Sequence, residues 1–387
     1  MPKKIVLLLD GTSNEIKADR TNILRLYGTL VKSDTQLVYY DPGVGTFGAE
    51  QAWSQFIRKG REIWGMITGW GLDANVKEAY RFIVDNYETY DDGTHDQIFI
   101  FGFSRGAYSA RVLAGFLHAF GLLERRNLNL LDYVYRAYKR VDPDGDADSF
   151  AELGLHCRII QPDQPPIRCL GLFDTVSSVI ESGRAGIPRL RKHAFTEDNP
   201  SVEAVRHAVA IVERRTMFVP QLWPAGQTFR QQRPAEEPAP PQDAKEVWFN
   251  GYHADVGGGS EEMKSGLAKI PLDWMIRETR ALGLDFDQAL VRNLVFGEGT
   301  ESARSKPDPL AAPNPSMNWA WHLLEYLPRR KPRLSRRRDL RGWILPRCEP
   351  RTIPDGAHVH VSVLKAAERP DNLPDAFELV DDGGNEP

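Results

Sequence analysis

The chain has 387 residues, 41% hydrophobic and 26% charged, with a formal net charge of −4. That is ordinary soluble globular composition, and the charge balance excludes a global pull toward nucleic acid, so no nucleic-acid partner is expected. Three cysteines, Cys157, Cys169 and Cys348, have no metal-like spacing, which predicts a reducing compartment and neither metal nor cofactor.

The first apolar run, Ile5-Val6-Leu7-Leu8-Leu9, is too short for a signal peptide, and no stretch reaches the roughly 18 apolar residues of a membrane span. The expectation is a cytoplasmic location, with signal-independent secretion left open. Residues 4–10 read as a central parallel strand, apolar on both faces. It ends in a turn-rich loop, Asp10-Gly11-Thr12. Thr21 or Asn22 caps a helix running to Leu30. Residues 36–40 are the next strand, and the tryptophan-rich stretch 53–70 reads as a covering flap or as core. An amphipathic helix spans 72–87, with Val76, Ala79, Tyr80, Ile83 and Val84 on one face.

Then comes the stretch the chain is organised around. Ile98-Phe99-Ile100-Phe101 leads into Gly102-Phe103-Ser104-Arg105-Gly106, and Ala110, Val112, Leu113 and Phe116 continue with helical spacing. Strand, tight turn and helix around a serine form a nucleophile elbow. Gly102 and Gly106 supply the small residues such a turn needs. The alternation of strands and helices predicts a mostly parallel sheet covered on both faces, with ligands at the carboxyl ends of the strands.

Residues 123–165 read as an insertion. Its alternating Asp142, Asp144 and Asp146 resemble a calcium loop, but no glutamate follows in register. Residues 167–173 are a strand ending in Asp174. Residues 201–215 read as a helix ending in Glu213-Arg214-Arg215. Residues 224–243 are a mobile loop rich in Pro, Gln and Glu. A short strand, 247–249, leads to His253 in a glycine-rich loop. A helix follows over 271–282, a Pro-rich linker over 299–316, and a last strand over 359–364. The expected domains are a catalytic unit, 1–298, and a linker with a C-terminal extension, 299–387.

A serine nucleophile needs a base and a carboxylate that orients the base. His253 follows Ser104 in the chain, and Asp174 fills the middle position of the hydrolase order. The oxyanion would be held by the backbone N–H of Arg105 and by one from Gly11 or Thr12. Asp255 shapes the His253 loop, and Asp10 is either part of the site or a hydrogen-bond hub beneath it.

Five ordered stretches resemble one known family: Leu9-Asp10-Gly11-Thr12, the segment from Tyr40 to Thr46, Gly102 to Tyr108, Leu172-Phe173-Asp174-Thr175-Val176, and Trp248 to Gly259. It is the α/β-hydrolase domain of the first class of type VI secretion lipase effectors and of its stand-alone relatives in bacteria and fungi. The resemblance covers residues 4 to about 285. It implies an α/β-hydrolase fold, a Ser-Asp-His triad, phospholipase A activity in the secreted members, and a secretion or immunity partner protein. One departure is Val212, where members often carry aspartate before Glu-Arg-Arg. Glu213 is therefore the alternative orienting acid.

Aromatic and leucine residues from Met317 to Leu327 precede a run of arginines from Arg329 to Arg341. This segment suits either a phospholipid membrane surface or a packed helix with a solvated basic loop. The leading expectation is a serine ester hydrolase, a phospholipase A. The alternatives are a non-catalytic module that binds lipid or a partner, and a soluble esterase or thioesterase.

Overall fold

Val6 and Leu8 face one side of the first strand, and Ile5, Leu7 and Leu9 face the other. Both sides are covered, which is why the run has no polar alternation. A computed structural model of the chain describes residues 2–11, 20–43, 71–143, 145, 147–176, 180–182, 188–190, 193–230, 239–299, 304–331 and 335–381. Thr12, the tryptophan-rich stretch 53–70, Asp144, Asp146 and the middle of the 224–243 loop lie outside the described residues.

The main sheet has eight strands: β1 (Lys4–Leu9), β2 (Gln36–Asp41), β3 (Gln97–Phe103), β4 (Ile167–Phe173), β5 (Val202–Ala210), β6 (Asp243–Phe249), β7 (Ala357–His360) and β8 (Phe377–Val380). Their spatial order is β8-β7-β6-β5-β4-β3-β1-β2, and every pairing is parallel. The helices are α1 (Asn22–Thr29), α2 (Leu72–Asn86), α3 (Arg105–Ala119), α4 (Leu131–Arg140), α5 (Ala151–Ile160), α6 (His253–Gly257), α7 (Gly266–Ala281), α8 (Gln288–Leu294) and α9 (Trp319–Leu324). Residues of α2, α3 and α4 cover one face of the sheet, and those of α1, α7 and α8 cover the other. This is an α/β-hydrolase-like arrangement. Among the described residues, no helix is long and apolar enough to cross a membrane.

Because all strands run the same way, their carboxyl ends share one edge. Leu9 lies opposite Gly102, and Phe103 lies opposite Phe173. The loops after β1, β3 and β4 are therefore brought side by side.

The helix expected over 201–215 is instead strand β5. Val202, Val205 and Val209 have helix-like spacing, but they are β-branched, and the strand is buried on both faces. Its buried polar residues find partners on β6 and α7. Arg206 reaches Asp243 and Glu278, and His207 Nδ1 meets Glu246 Oε2 at 2.9 Å. Helix α7 starts five residues before Pro271, which lies inside it. The last stretch is strand only to His360 and then turns as a 3₁₀ helix over Val361–Val363. A further strand, β8, follows and pairs parallel with β7. Thr21 caps α1, its hydroxyl accepting from the Leu24 N–H at 3.1 Å.

Candidate active site

Ser104 sits between β3 and α3 with φ 58° and ψ −119°. That backbone is costly for a residue with a side chain. Close contacts on both sides hold it there. A Cβ on Gly102 would strike Gly106 O and Ala107, and one on Gly106 would strike the carbonyls of Leu9 and Asp10. The Ser104 N–H is anchored to Phe173 O at 3.0 Å.

Asp174 follows β4, also with positive φ (40°), and is fully buried. Its N–H bonds Ala208 O at 2.7 Å, so β5 fixes its backbone. His253 opens α6 directly after β6. The three side chains form one hydrogen-bonded line. His253 Nδ1 lies 2.5 Å from Asp174 Oδ2, and His253 Nε2 lies 2.8 Å from Ser104 Oγ. A carboxylate only accepts, so Nδ1 carries the proton and Nε2 offers its lone pair to the serine hydroxyl. The ring is wedged between Phe103 and Phe218, with centroids at 4.7 and 5.0 Å.

Burial lowers the pKa of His253, against the pull of Asp174. Burial also opposes charge on Asp174, but Arg351 and His253 outweigh it and hold the carboxyl well below the usual carboxylate range. The imidazole is thus neutral beside an ionised carboxylate.

Sequence reasoning missed Arg351. Its Nη1 donates to Asp174 Oδ1 at 2.6 Å and its Nη2 to Oδ2 at 3.0 Å. The same guanidinium donates to Ala210 O and Phe218 O at 2.7 and 2.6 Å. Arg351 lies in an irregular loop with no periodicity or motif, so no local signal marks it.

Glu213 is buried next to the site but does not meet the imidazole. Its Oε2 accepts from the His253 backbone N–H at 3.2 Å, and Arg215 and Ser316 hold both oxygens. Burial opposes its charge, yet Arg215 brings its pKa down to about 2.

Asp10 forms a hydrogen-bond hub. It accepts from the Gly11 N–H at 2.7 Å, the Thr21 hydroxyl at 2.5 Å and the Tyr40 hydroxyl at 3.0 Å. The Gly11 N–H is thereby directed at Asp10. Arg105 occupies the first position of α3, adjoining Ser104. Asp255 accepts from Tyr252 N at 2.9 Å and from Asn314 N and Nδ2 at 3.0 and 2.6 Å. It ties the His253 loop to the segment after α8, and burial raises its pKa. Among the described residues, no cluster of His, Cys, Asp and Glu has the makings of a metal site.

Residues 3–278 match the family model described as the type VI secretion system phospholipase effector Tle1-like catalytic domain. An uncharacterised protein of Saccharomyces cerevisiae, YEL023C, is 31% identical over 228 residues, covering 56% of this chain and 32% of that protein. Two solved structures are similar. One is an uncharacterised protein from Pseudomonas aeruginosa, with TM-score 0.35, 20% identity, and coverage of 74% of this chain and 46% of that one. The other is the Tle1 effector bound to the VgrG spike, with TM-score 0.34, 19% identity, and coverage of 69% and 52%. The chain spans about a third of the yeast relative's length and about half of each solved chain. With a model match that takes in most of its residues, the chain belongs to the Tle1-like phospholipase effector catalytic domain family.

Proposed function

We propose that this chain is a serine ester hydrolase, a phospholipase A acting on membrane phospholipids. The observation that carries the reading is the line Ser104–His253–Asp174, with contacts of 2.8 and 2.5 Å at the carboxyl edge of a parallel sheet. Family membership supports the lipid substrate.

In this reading His253 Nε2 takes the hydroxyl proton as Ser104 Oγ attacks the ester carbonyl. The oxyanion is held by the Arg105 N–H at the first position of α3, while the Gly11 N–H, the other candidate among the described residues, is engaged by Asp10 Oδ1 at 2.7 Å. The imidazolium returns its proton to the leaving alcohol, a lysophospholipid, and an acyl-serine remains. Water, deprotonated by the same histidine, releases the fatty acid and restores the serine. Asp174 keeps Nδ1 protonated and steadies the imidazolium.

The test is fatty-acid release from mixed phospholipid vesicles by wild type and Ser104→Ala, with a short-chain ester in parallel. Serine-dependent release from vesicles is expected, and the cleaved position names the type. Hydrolysis of the short ester alone would mean a soluble esterase. No activity from folded protein overturns the enzyme reading. The family's type VI secretion setting makes a secretion or immunity protein the expected macromolecular partner, which pull-down from a secreting bacterium checks.

A further inference from the structure

The segment after α8 has two unlike sides. Inward, Trp321 is buried against Phe218 with centroids 5.6 Å apart, and Phe218 packs on His253 at 5.0 Å. Buried Glu325 accepts from Thr216 N and Oγ1, both at 2.9 Å. Outward, Trp319 is 73% exposed and Leu340 80%, with Leu323, Tyr326, Leu327 and Trp343 also exposed. Side chains this large and this exposed recur along one segment, a denser run than singly scattered surface residues give.

The pieces are tied together. Arg329–Arg330 pairs antiparallel with Trp343–Ile344, and Lys331 N bonds Gly342 O at 2.9 Å. Arg347 N bonds Glu325 O at 2.9 Å, and Arg329 Nη2 bonds Leu324 O at 2.5 Å. The Arg330 guanidinium lies 5.2 Å from the Trp343 ring centroid.

The charge on this side is predominantly positive. Between 326 and 347 the exposed cations among the described residues are Arg330, Lys331, Arg336, Arg338, Arg341 and Arg347, and the exposed carboxylate is Asp339. A chain of net charge −4 thus carries a local excess of positive charge beside the exposed Trp319 and Trp343. Indole and leucine side chains enter the headgroup boundary of a bilayer, and arginines beside them meet anionic headgroups.

We propose that residues 319–331 and 335–345 form a docking surface for an anionic phospholipid bilayer. Docking there sets the lipid surface two aromatic rings from His253. The inference extends the phospholipase reading by naming where the substrate's surface meets the chain.

The test is co-sedimentation of the full chain with phosphatidylcholine vesicles, with and without about a third phosphatidylglycerol. Wild type and Ser104→Ala are both expected to bind the anionic vesicles about tenfold or more above the neutral ones, and to release at high salt. Arg330→Glu/Arg338→Glu/Arg341→Glu is expected to lose about tenfold or more of that binding. Trp319→Ser/Leu323→Ser is expected to lose several-fold, with short-ester hydrolysis unchanged in both variants. Equal binding by the charge-reversed variant, no preference for anionic vesicles, or a concentration-dependent dimer with no vesicle binding overturns the proposal. A chain that docks without hydrolysing sinks the enzyme reading alone. One that releases fatty acid from vesicles with no preference for anionic ones and no loss on charge reversal sinks this one alone.

Discussion

Arg351 holds both carboxylate oxygens of Asp174, at 2.6 and 3.0 Å, across 177 residues of sequence. Both side chains are buried. The pair is a bidentate charge-assisted contact in a dry setting, where removing one partner strands the other. Arg351→Met is therefore expected to cost about 3–5 kcal/mol of stability. Stability from an ionised Asp174 is present above its unfolded pKa, roughly 3.9, and is lost as pH falls toward its lower folded value. Without Arg351 that folded value rises, so acid unfolding should begin at higher pH. Urea denaturation across pH checks this, with Arg351→Lys predicted to restore part of the loss.

Arg351 also bears on the base. With its positive charge gone, the unbalanced Asp174 carboxylate draws a proton onto His253. The acidic limb of kcat/KM in Arg351→Met should then sit at higher pH than in wild type. In wild type, burial keeps the His253 pKa below its ordinary 6.5, so that limb should lie below pH 6.5. A pH–rate profile of both proteins on a soluble ester reads the difference. A wild-type limb above 6.5 contradicts it.

The two acids near His253 make separable predictions. Asp174 meets the ring, and Glu213 meets the backbone N–H at 3.2 Å. Asp174→Asn should lower kcat by about 10⁴, the scale seen when the orienting acid of a serine triad becomes an amide. Glu213→Gln should keep kcat within about tenfold and lower stability instead, because Arg215 loses its charged partner. The reverse ranking would make Glu213 the orienting acid.

Ser104 is under backbone strain in the service of its position. Glycine accepts φ 58° without a Cβ penalty. Ser104→Gly should abolish turnover and raise stability by about 1 kcal/mol. Ser104→Ala should abolish turnover with little gain, since its Cβ remains. Paired melts of the two variants check this ordering.

Legibility in the sequence followed how local each signal was. Strand β3, the turn at Ser104 and helix α3 are contiguous, so periodicity and two glycines sufficed. Asp174 follows the end of β4 and His253 follows the end of β6, and a parallel sheet brings strand ends to one edge, so their convergence follows from topology. Strand β5 was misread because Val202, Val205 and Val209 repeat with helical spacing. Only the cover supplied to both its faces by the rest of the fold decides for strand. Arg351 was illegible because its contact is made entirely by tertiary structure, from a loop with no pattern. Glu213 stands out in the sequence by its neighbours Arg214 and Arg215, while its partners Ser316 and the His253 N–H come from elsewhere.

Strand β6 pairs with β7 through His358 opposite Val247 and Val359 opposite Trp248, and β8 then closes the row. Without these two late strands, β6 would end the sheet with apolar Val247 and Trp248 on an open ladder, a template for joining another chain edge to edge. The strand that ends the sheet instead is four residues long, carries Glu378 and leads directly to Asp381. A short, acidic border of this kind discourages strand addition. The last quarter of the chain thus shields the β6 edge from pairing with another chain as well as placing a counter-ion on Asp174.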